Sequence, residues 1–166
     1  MFGFMAVGKS TVGRLLSERL GYAFVDLDTE IARRKGIEVA DIFSVYGESG
    51  FRELERQAVR SVALLDRRVI ACGGGAILDP VNLKALRRSS RMVLLTASPE
   101  EILRRVSTDS RRPLLNVGNR LVRIHELLEA RLPKYREAAE LSVDTDGVTP
   151  EEVADTVLRG IGGVEA

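Results

Sequence analysis

The sequence contains little that would indicate a disulfide framework, a metal cluster or a membrane span. Cys72 is the only cysteine, which excludes an internal disulfide and any multi-cysteine metal site. No apolar run approaches the roughly 20 residues needed to cross a bilayer, and no charged segment leads into a long apolar stretch as in a secretory signal. A formal net charge of +1 gives no sign of a nucleic-acid or membrane surface. We therefore expect a cytoplasmic protein without nucleic-acid or membrane partners.

Length and patterning indicate one α/β domain. The 166 residues are 45% hydrophobic and 30% charged, as in an ordinary globular chain, and a single domain over 1–166 is expected. Short apolar strands alternate with amphipathic helices, which predicts a parallel sheet covered on both faces. The predicted strands are 23–26, 68–72, 91–96 and 141–144. The expected architecture is a three-layer α/β P-loop domain.

The first motif lies at residues 3–10 and fits the phosphate-binding P-loop, G-x-x-x-x-G-K-[ST]. Gly3 and Gly8 let the backbone curl so that its N–H groups point at phosphate oxygens. Lys9 would face the β- and γ-phosphates, and the Ser10 hydroxyl would hold Mg²⁺. A helix is expected to begin near Lys9 and to present its positive end to the nucleotide.

A pair of carboxylates follows the first predicted strand, in Asp26-Leu27-Asp28. Alternation along an extended segment would place both side chains on one side, at the edge where parallel sheets bind ligands. One carboxylate would order the Mg²⁺ shell, and the other would accept a proton from an attacking hydroxyl. A helix N-cap followed by a first-turn acid is the structural alternative.

Three consecutive glycines, Gly73-Gly74-Gly75, follow the second predicted strand. Their cost in backbone entropy, roughly 1 kcal/mol each, favours a place where the backbone approaches a ligand closely. Arg52, Arg112 and Arg131 carry the planar fork that binds carboxylate or phosphate in two contacts. Composition alone does not distinguish them from the other 22 of the 25 Lys and Arg residues.

The order of these motifs resembles the shikimate kinase family across essentially the whole chain. The motifs that carry the resemblance are Gly8-Lys9-Ser10-Thr11, Asp26-Leu27-Asp28, Phe51-Arg52, Gly73-Gly74-Gly75-Ala76, Arg112-Pro113-Leu114-Leu115 and Arg131-Leu132-Pro133-Lys134-Tyr135. Their joint occurrence in one order is far more specific than any single motif. The resemblance implies transfer of the γ-phosphoryl group of ATP to the 3-hydroxyl of shikimate, in the route to aromatic amino acids.

The resemblance also implies a role for each matching residue. The expected contacts to ATP are Ala6, Val7, Gly8, Lys9, Ser10, Thr11 and Arg112. Mg²⁺ would be held by Ser10 and, through a bound water, by Asp26. Shikimate would contact Asp28, the glycines at 73–75 (Gly73, Gly74 and Gly75), and the two carboxylate-clamping arginines, Arg52 and Arg131. Asp28 as the base, Lys9, and Arg112 on a closing lid would be the catalytic residues.

For the domain as a whole, the resemblance implies a substrate-binding region at 29–65, a lid at 107–119 and a five-stranded sheet in the order 2-3-1-4-5. In that order the strand before the P-loop is central, yet only Met1 and Phe2 precede the loop. We therefore expect the first strand to be truncated. We also expect a monomer.

The match to the family is not complete. Ala6 and Val7 stand where the loop usually carries glycine, and Val148 stands where some members have a basic residue near the adenine. Two other functions stay open: a kinase for another small polyol acid such as gluconate, and a non-catalytic nucleotide-binding relative.

Overall fold

The structure, a computed structural model, describes residues 1–106 and 119–162. Within these ranges, helices and strands alternate along the chain as expected. The strands are β1 (Ala23–Asp26), β2 (Arg68–Ala71), β3 (Val93–Thr96) and β4 (Leu141–Asp144). The helices are α1 (Lys9–Leu20), α2 (Leu27–Lys35), α3 (Val39–Val62), α4 (Pro80–Ser89), α5 (Pro99–Val106), α6 (Arg120–Ala138) and α7 (Pro150–Gly162), with a 3₁₀ turn at Ala76–Leu78.

The strands form two parallel pairs, β1 with β2 and β3 with β4. Residues 1 and 2 lie between the pairs and hydrogen-bond to both. The Met1 ammonium donates to Ile70 O at 2.7 Å, and Phe2 forms a parallel bridge with Leu94. The α/β class with parallel strands is confirmed. The central position is occupied by a two-residue bridge rather than a regular strand.

Local capping explains where several helices begin. Asp79 Oδ1 accepts a hydrogen bond from Val81 N at 2.8 Å, and Pro80 occupies the first position of α4. Thr149 and Glu152 form a reciprocal capping box at the start of α7, with contacts of 2.9 and 3.3 Å. These caps satisfy amide groups that the first turn of a helix leaves without partners.

Gly47 divides α3 into two parts. Its φ of 67° and ψ of −178° are non-helical, so the helix is kinked there. The longer part buries Phe51, Ala58 and Val59 and carries Arg52 toward the carboxyl edge of the sheet.

One apolar core connects the sheet with its helices. Leu94 and Leu95 on β3 are fully buried, as are Ile102 on α5 and Ile124 on α6. Helix α6 runs through Pro133 as one element from Arg120 to Ala138. None of the helices in the described ranges has the length and apolar character of a membrane span.

Candidate active site

The P-loop connects the Phe2 bridge to α1. A β-carbon on Gly3, at φ 141°, would lie 2.2 Å from Leu95 O, so this position requires glycine. Gly8, at φ 91°, is the N-cap of α1. Ala6 adopts φ 60°, a left-handed conformation that is costly for alanine. Val7 is buried and is not among the residues with positive φ, so its β-branched side chain fits.

The six predicted phosphate-binding residues of the loop share one cavity of about 660 Å³. Residues 6–11 form one wall, and Arg104, Arg105 and residues 147–150 form the other. Lys9 Nζ donates a hydrogen bond to Phe4 O at 2.6 Å, which holds its ammonium group across the loop. Backbone N–H groups, a helix N-terminus and a lysine therefore lie together, as a polyphosphate requires.

Ser10 and Asp26 meet beside this cavity. Ser10 Oγ donates to Asp26 Oδ2 at 2.6 Å. Hydroxyl and carboxylate oxygens are the hard ligands that Mg²⁺ prefers, so this pair fits the ion. The other Asp26 oxygen accepts hydrogen bonds from Asp28 N at 3.1 Å and Thr29 N at 3.2 Å.

The extended geometry expected for Asp26-Leu27-Asp28 is wrong. Strand β1 ends at Asp26, which is the N-cap of α2, and Asp28 lies in the first turn of that helix. The carboxylates are thus placed by a helix start rather than by strand alternation. They still lie at the carboxyl end of β1, where the predicted site lies, and the role of each carboxylate stays a prediction.

The glycine segment at 73–75 brings together the predicted substrate residues. A β-carbon on Gly73 would lie 2.9 Å from Asp28 Oδ1, and one on Gly75 would lie 2.4 Å from Arg52 Nη1. A β-carbon on Gly74 would lie 3.7 Å from Arg131 Nη1. Side chains from α2, α3 and α6 therefore converge on three successive glycines, with no room for side chains on the first and third.

Arg52 is held in place by two glutamates of its own helix. Its Nη1 donates to both carboxylate oxygens of Glu55, at 3.2 and 3.0 Å, and its Nη2 donates to Glu48 at 3.4 Å. Glu55 is only 1% exposed; burial raises the pKa of its carboxyl, and the Arg52 guanidinium opposes that shift. Arg52 also lies 5.5 Å from the ring centroid of Phe51, which stacks on Phe43. The guanidinium is thus preorganised before any substrate binds.

Tyr135 supports the opposite side of the segment. Its hydroxyl donates to Gly74 O, and its ring packs edge-on against Phe2 with centroids 6.0 Å apart. Burial raises the pKa of this phenol, while Arg131 opposes the rise through charge and a hydrogen bond. The Arg131 guanidinium lies 5.8 Å from the ring centroid of Phe4. The sequence pattern includes Tyr135 but predicts no role for it.

Arg105 is a second residue that sequence reasoning misses. Its Nη1 donates to Ala6 O at 3.1 Å and to Thr145 Oγ1 at 3.0 Å, and its Nη2 donates to Thr145 O at 2.7 Å. It therefore ties the P-loop to the segment after β4, and its own contact with Ala6 spans 99 positions of sequence. The spacing to Glu101 predicts an ion pair within α5, but no local signal predicts the contact to the loop.

The remaining residues of interest line the nucleotide cavity, make few contacts or lie outside the described ranges. Arg112 and most of the 107–119 lid lie outside them. Val148 lines the nucleotide cavity and is 40% exposed. Cys72 is buried, which raises the pKa of its thiol to about 11, and His125 is half exposed near Glu100.

Comparison with known proteins finds similar sequences and similar folds over nearly the whole chain. The family model for shikimate kinase matches residues 5–161. A shikimate kinase of Thermus thermophilus is 48% identical over 158 residues, which make up 95% of this chain and 85% of that protein. The structure of shikimate kinase from Acinetobacter baumannii in complex with shikimate superposes with a TM-score of 0.94 at 36% identity, covering 99% of this chain and 92% of that one. A gluconokinase from Sinorhizobium meliloti 1021 shares only the fold, with a TM-score of 0.59 and 17% identity, covering 98% and 90% of the two chains.

Proposed function

This chain belongs to the shikimate kinase family, and we propose that it transfers the γ-phosphoryl group of ATP to the 3-hydroxyl of shikimate. The observation that carries the proposal is the convergence of Asp28, Arg52 and Arg131 on the glycine segment, at the same edge of the sheet as the P-loop. Two cationic forks and one carboxylate match a substrate that has one carboxylate and several hydroxyls.

ATP is proposed to bind with its phosphates along residues 6–11, where Lys9 and the N-terminus of α1 neutralise negative charge. Ser10 and Asp26 are the residues that would hold Mg²⁺. The ion, when bound, neutralises charge on the transferring phosphoryl group. Phosphoryl transfer depends mainly on positioning and charge stabilisation, so a preorganised loop is the main contribution of this part of the chain.

Shikimate is proposed to bind with its carboxylate between Arg52 and Arg131 and with its hydroxyls toward Asp28 and the backbone of Gly74. Asp28 then accepts the proton of the attacking hydroxyl as the new P–O bond forms. The fixed Arg52–Glu55 pair supports this orientation, because the guanidinium loses little freedom on binding. Arg112 is proposed to reach the transferring phosphate from the lid and to exclude water.

We also propose a cytoplasmic monomer. The residues assigned to ATP and shikimate all come from one chain, so the site requires no contribution from a second subunit. The one thiol, that of Cys72, is buried and unpaired, as is usual in a reducing compartment.

The test is an ADP-release assay with shikimate and gluconate as alternative acceptors. We expect release that depends on shikimate, and a variant, Asp28→Asn, that turns over at least about 100-fold more slowly while ATP binding stays intact. Release with gluconate alone would identify a kinase for a different polyol acid. ATP binding without release with either acceptor would identify a non-catalytic relative, and near-normal turnover of Asp28→Asn would remove Asp28 from the role of base.

A further inference from the structure

An ion pair outside the predicted site joins Asp79, four residues beyond the glycine segment, to the helix that carries Arg52. Arg56 Nε donates to Asp79 Oδ2 at 2.7 Å, between α3 and the residue that follows the 3₁₀ turn. The side chain of Asp79 is 10% exposed and that of Arg56 is 40% exposed. The pair therefore lies at the border of the core, with its carboxylate half well shielded.

The Asp79 carboxylate has a separate partner for each oxygen. Oδ1 accepts from Val81 N at 2.8 Å and from Asn82 N at 3.4 Å, which caps α4, while Oδ2 accepts from Arg56. Burial alone would raise the pKa of Asp79, but these hydrogen bonds hold it below its usual value. One carboxylate thus fixes the start of α4 against the side of α3.

The segment from 73 to 79 contacts α3 at two points. At its third residue, Gly75, the Arg52 guanidinium packs so closely that a β-carbon would be 2.4 Å from Nη1. At its second end Asp79 binds Arg56, which lies one helical turn beyond Arg52 on α3. Between these points the chain makes one tight 3₁₀ turn, closed by hydrogen bonds of 3.1 Å from Ala76 N to Gly73 O and from Leu78 N to Gly75 O.

We propose that the Arg56–Asp79 pair sets the distance between α3 and the glycine segment, and thereby the distance between the Arg52 guanidinium and Gly74 that receives the substrate. Arg56 is a positioning residue that acts through Arg52 and the segment, and it does not touch substrate. The inference rests on the proposed function. A displacement of about 1 Å in such a contact is enough to cost roughly 100-fold in rate.

The variants separate the pair from the helix cap. Arg56→Met keeps most of the apolar stem and removes the charge. Asp79→Ser keeps an oxygen that caps α4 but does not reach Arg56. The double variant completes a cycle that isolates the interaction between the two. Glu53→Gln is the matched control, because Glu53 is exposed, lies on the same helix and approaches Arg56 only to 3.7 Å.

The readouts are the Michaelis constants for shikimate and for ATP, the turnover number, and the midpoint of urea unfolding. We expect each single variant to raise the Michaelis constant for shikimate about 5- to 20-fold, as for a weakened hydrogen bond to the substrate carboxylate, and that for ATP less than twofold. The double variant is expected to resemble the single ones, and Glu53→Gln is expected to resemble the wild type. A loss of stability alone would not change one Michaelis constant and spare the other.

Three results would overturn the inference. If the wild type is active and Arg56→Met changes the Michaelis constant for shikimate by less than twofold, the inference is wrong although the proposed function stands. The inference is also wrong if the effects of the two single variants multiply in the double variant. The side chain of Arg56 is 40% exposed, against 10% for Asp79, so Arg56→Met is expected to fold even if Asp79→Ser does not. A wild type that shows no shikimate-dependent ADP release would overturn the proposed function, and this inference with it.

Discussion

Alanine substitutions at the three consecutive glycines should have three different effects. None of the three has a positive φ, so alanine is allowed by the backbone and the effects depend on neighbouring atoms. Ordinary contact begins near 3.4 Å. On that scale a β-carbon at Gly75 displaces the Arg52 guanidinium by about 1.0 Å (3.4 − 2.4), and one at Gly73 displaces the Asp28 carboxylate by about 0.5 Å (3.4 − 2.9). A β-carbon at Gly74 is 3.3 Å from the Tyr135 hydroxyl and requires almost no movement.

The displaced groups determine which kinetic constant changes. Charge-assisted hydrogen bonds contribute about 1.5–3 kcal/mol each, so loss of one between Arg52 and the substrate carboxylate corresponds to about 10- to 150-fold. Gly75→Ala should therefore raise the Michaelis constant for shikimate by that factor. Gly73→Ala should mainly lower the turnover number, because it moves the proposed base. Gly74→Ala should be the mildest of the three.

The assay is steady-state ADP release with each substrate varied, together with urea unfolding. Replacing glycine by alanine restricts the unfolded chain, so the free energy of unfolding should stay within about 1 kcal/mol of the wild-type value. Activity would then fall in proteins that are as stable as the wild type. Equal kinetic losses in all three variants, or the largest loss in Gly74→Ala, would refute the steric argument.

Three further predictions concern the nucleotide side of the site. Ala6→Gly should raise the free energy of unfolding, measured in urea, by up to about 1 kcal/mol, because Ala6 is held at φ 60°. Arg67→Gly is the matched control. Arg67 has φ 52° and lies far from the cavity, so this variant should show a similar rise in the free energy of unfolding. Glu101→Gln should lower the melting temperature at pH 7, because hydrogen bonds from Arg104, and then from Arg105, hold the pKa of Glu101 at about 2. That difference from the wild type should be complete above the ordinary pKa of 4.5 and should shrink as the pH falls toward 2, and a constant difference across a pH series of melting curves would contradict it. Ser10→Ala should raise the Mg²⁺ concentration needed for half-maximal ADP release while leaving the melting temperature nearly unchanged, and an unaltered Mg²⁺ titration would remove Ser10 from the metal site.

Local patterns in the sequence predict the parts of this fold that local physics determines. The start of α1 at Lys9, the Asp79–Pro80 start of α4 and the break at Gly47 all follow from capping and glycine chemistry within a few residues. The same local chemistry explains the error at Asp26. A strand end and a helix N-cap have similar sequence signals, and the hydrogen bonds to Asp28 N and Thr29 N decide in favour of the cap.

The contacts that complete the site join distant parts of the chain. Tyr135 meets Gly74 across 61 positions, and Arg105 meets Ala6 across 99. No regular sequence spacing predicts either contact, because the packing of the helices on the sheet brings the two residues of each pair together. The substrate-binding roles of Arg52 and Arg131 are predicted only from the resemblance to a family. The local sequence around an arginine does not distinguish a surface position from a substrate site.

The contacts of the glycine segment explain why three consecutive glycines occur in an ordered part of this domain. Flexibility is not the reason, since the segment is closed by a 3₁₀ turn and held by Tyr135 on one side and Arg52 on the other. Glycine is needed at 73 and 75 because side chains there would have no room. Three helices place Asp28, Arg131 and Arg52 within 4 Å of the positions that β-carbons would occupy. A substrate with one carboxylate and neighbouring hydroxyls needs those groups close together around exposed backbone. The lack of side chains at 73–75 therefore leaves space in which a carboxylate and two guanidinium groups would surround the proposed substrate.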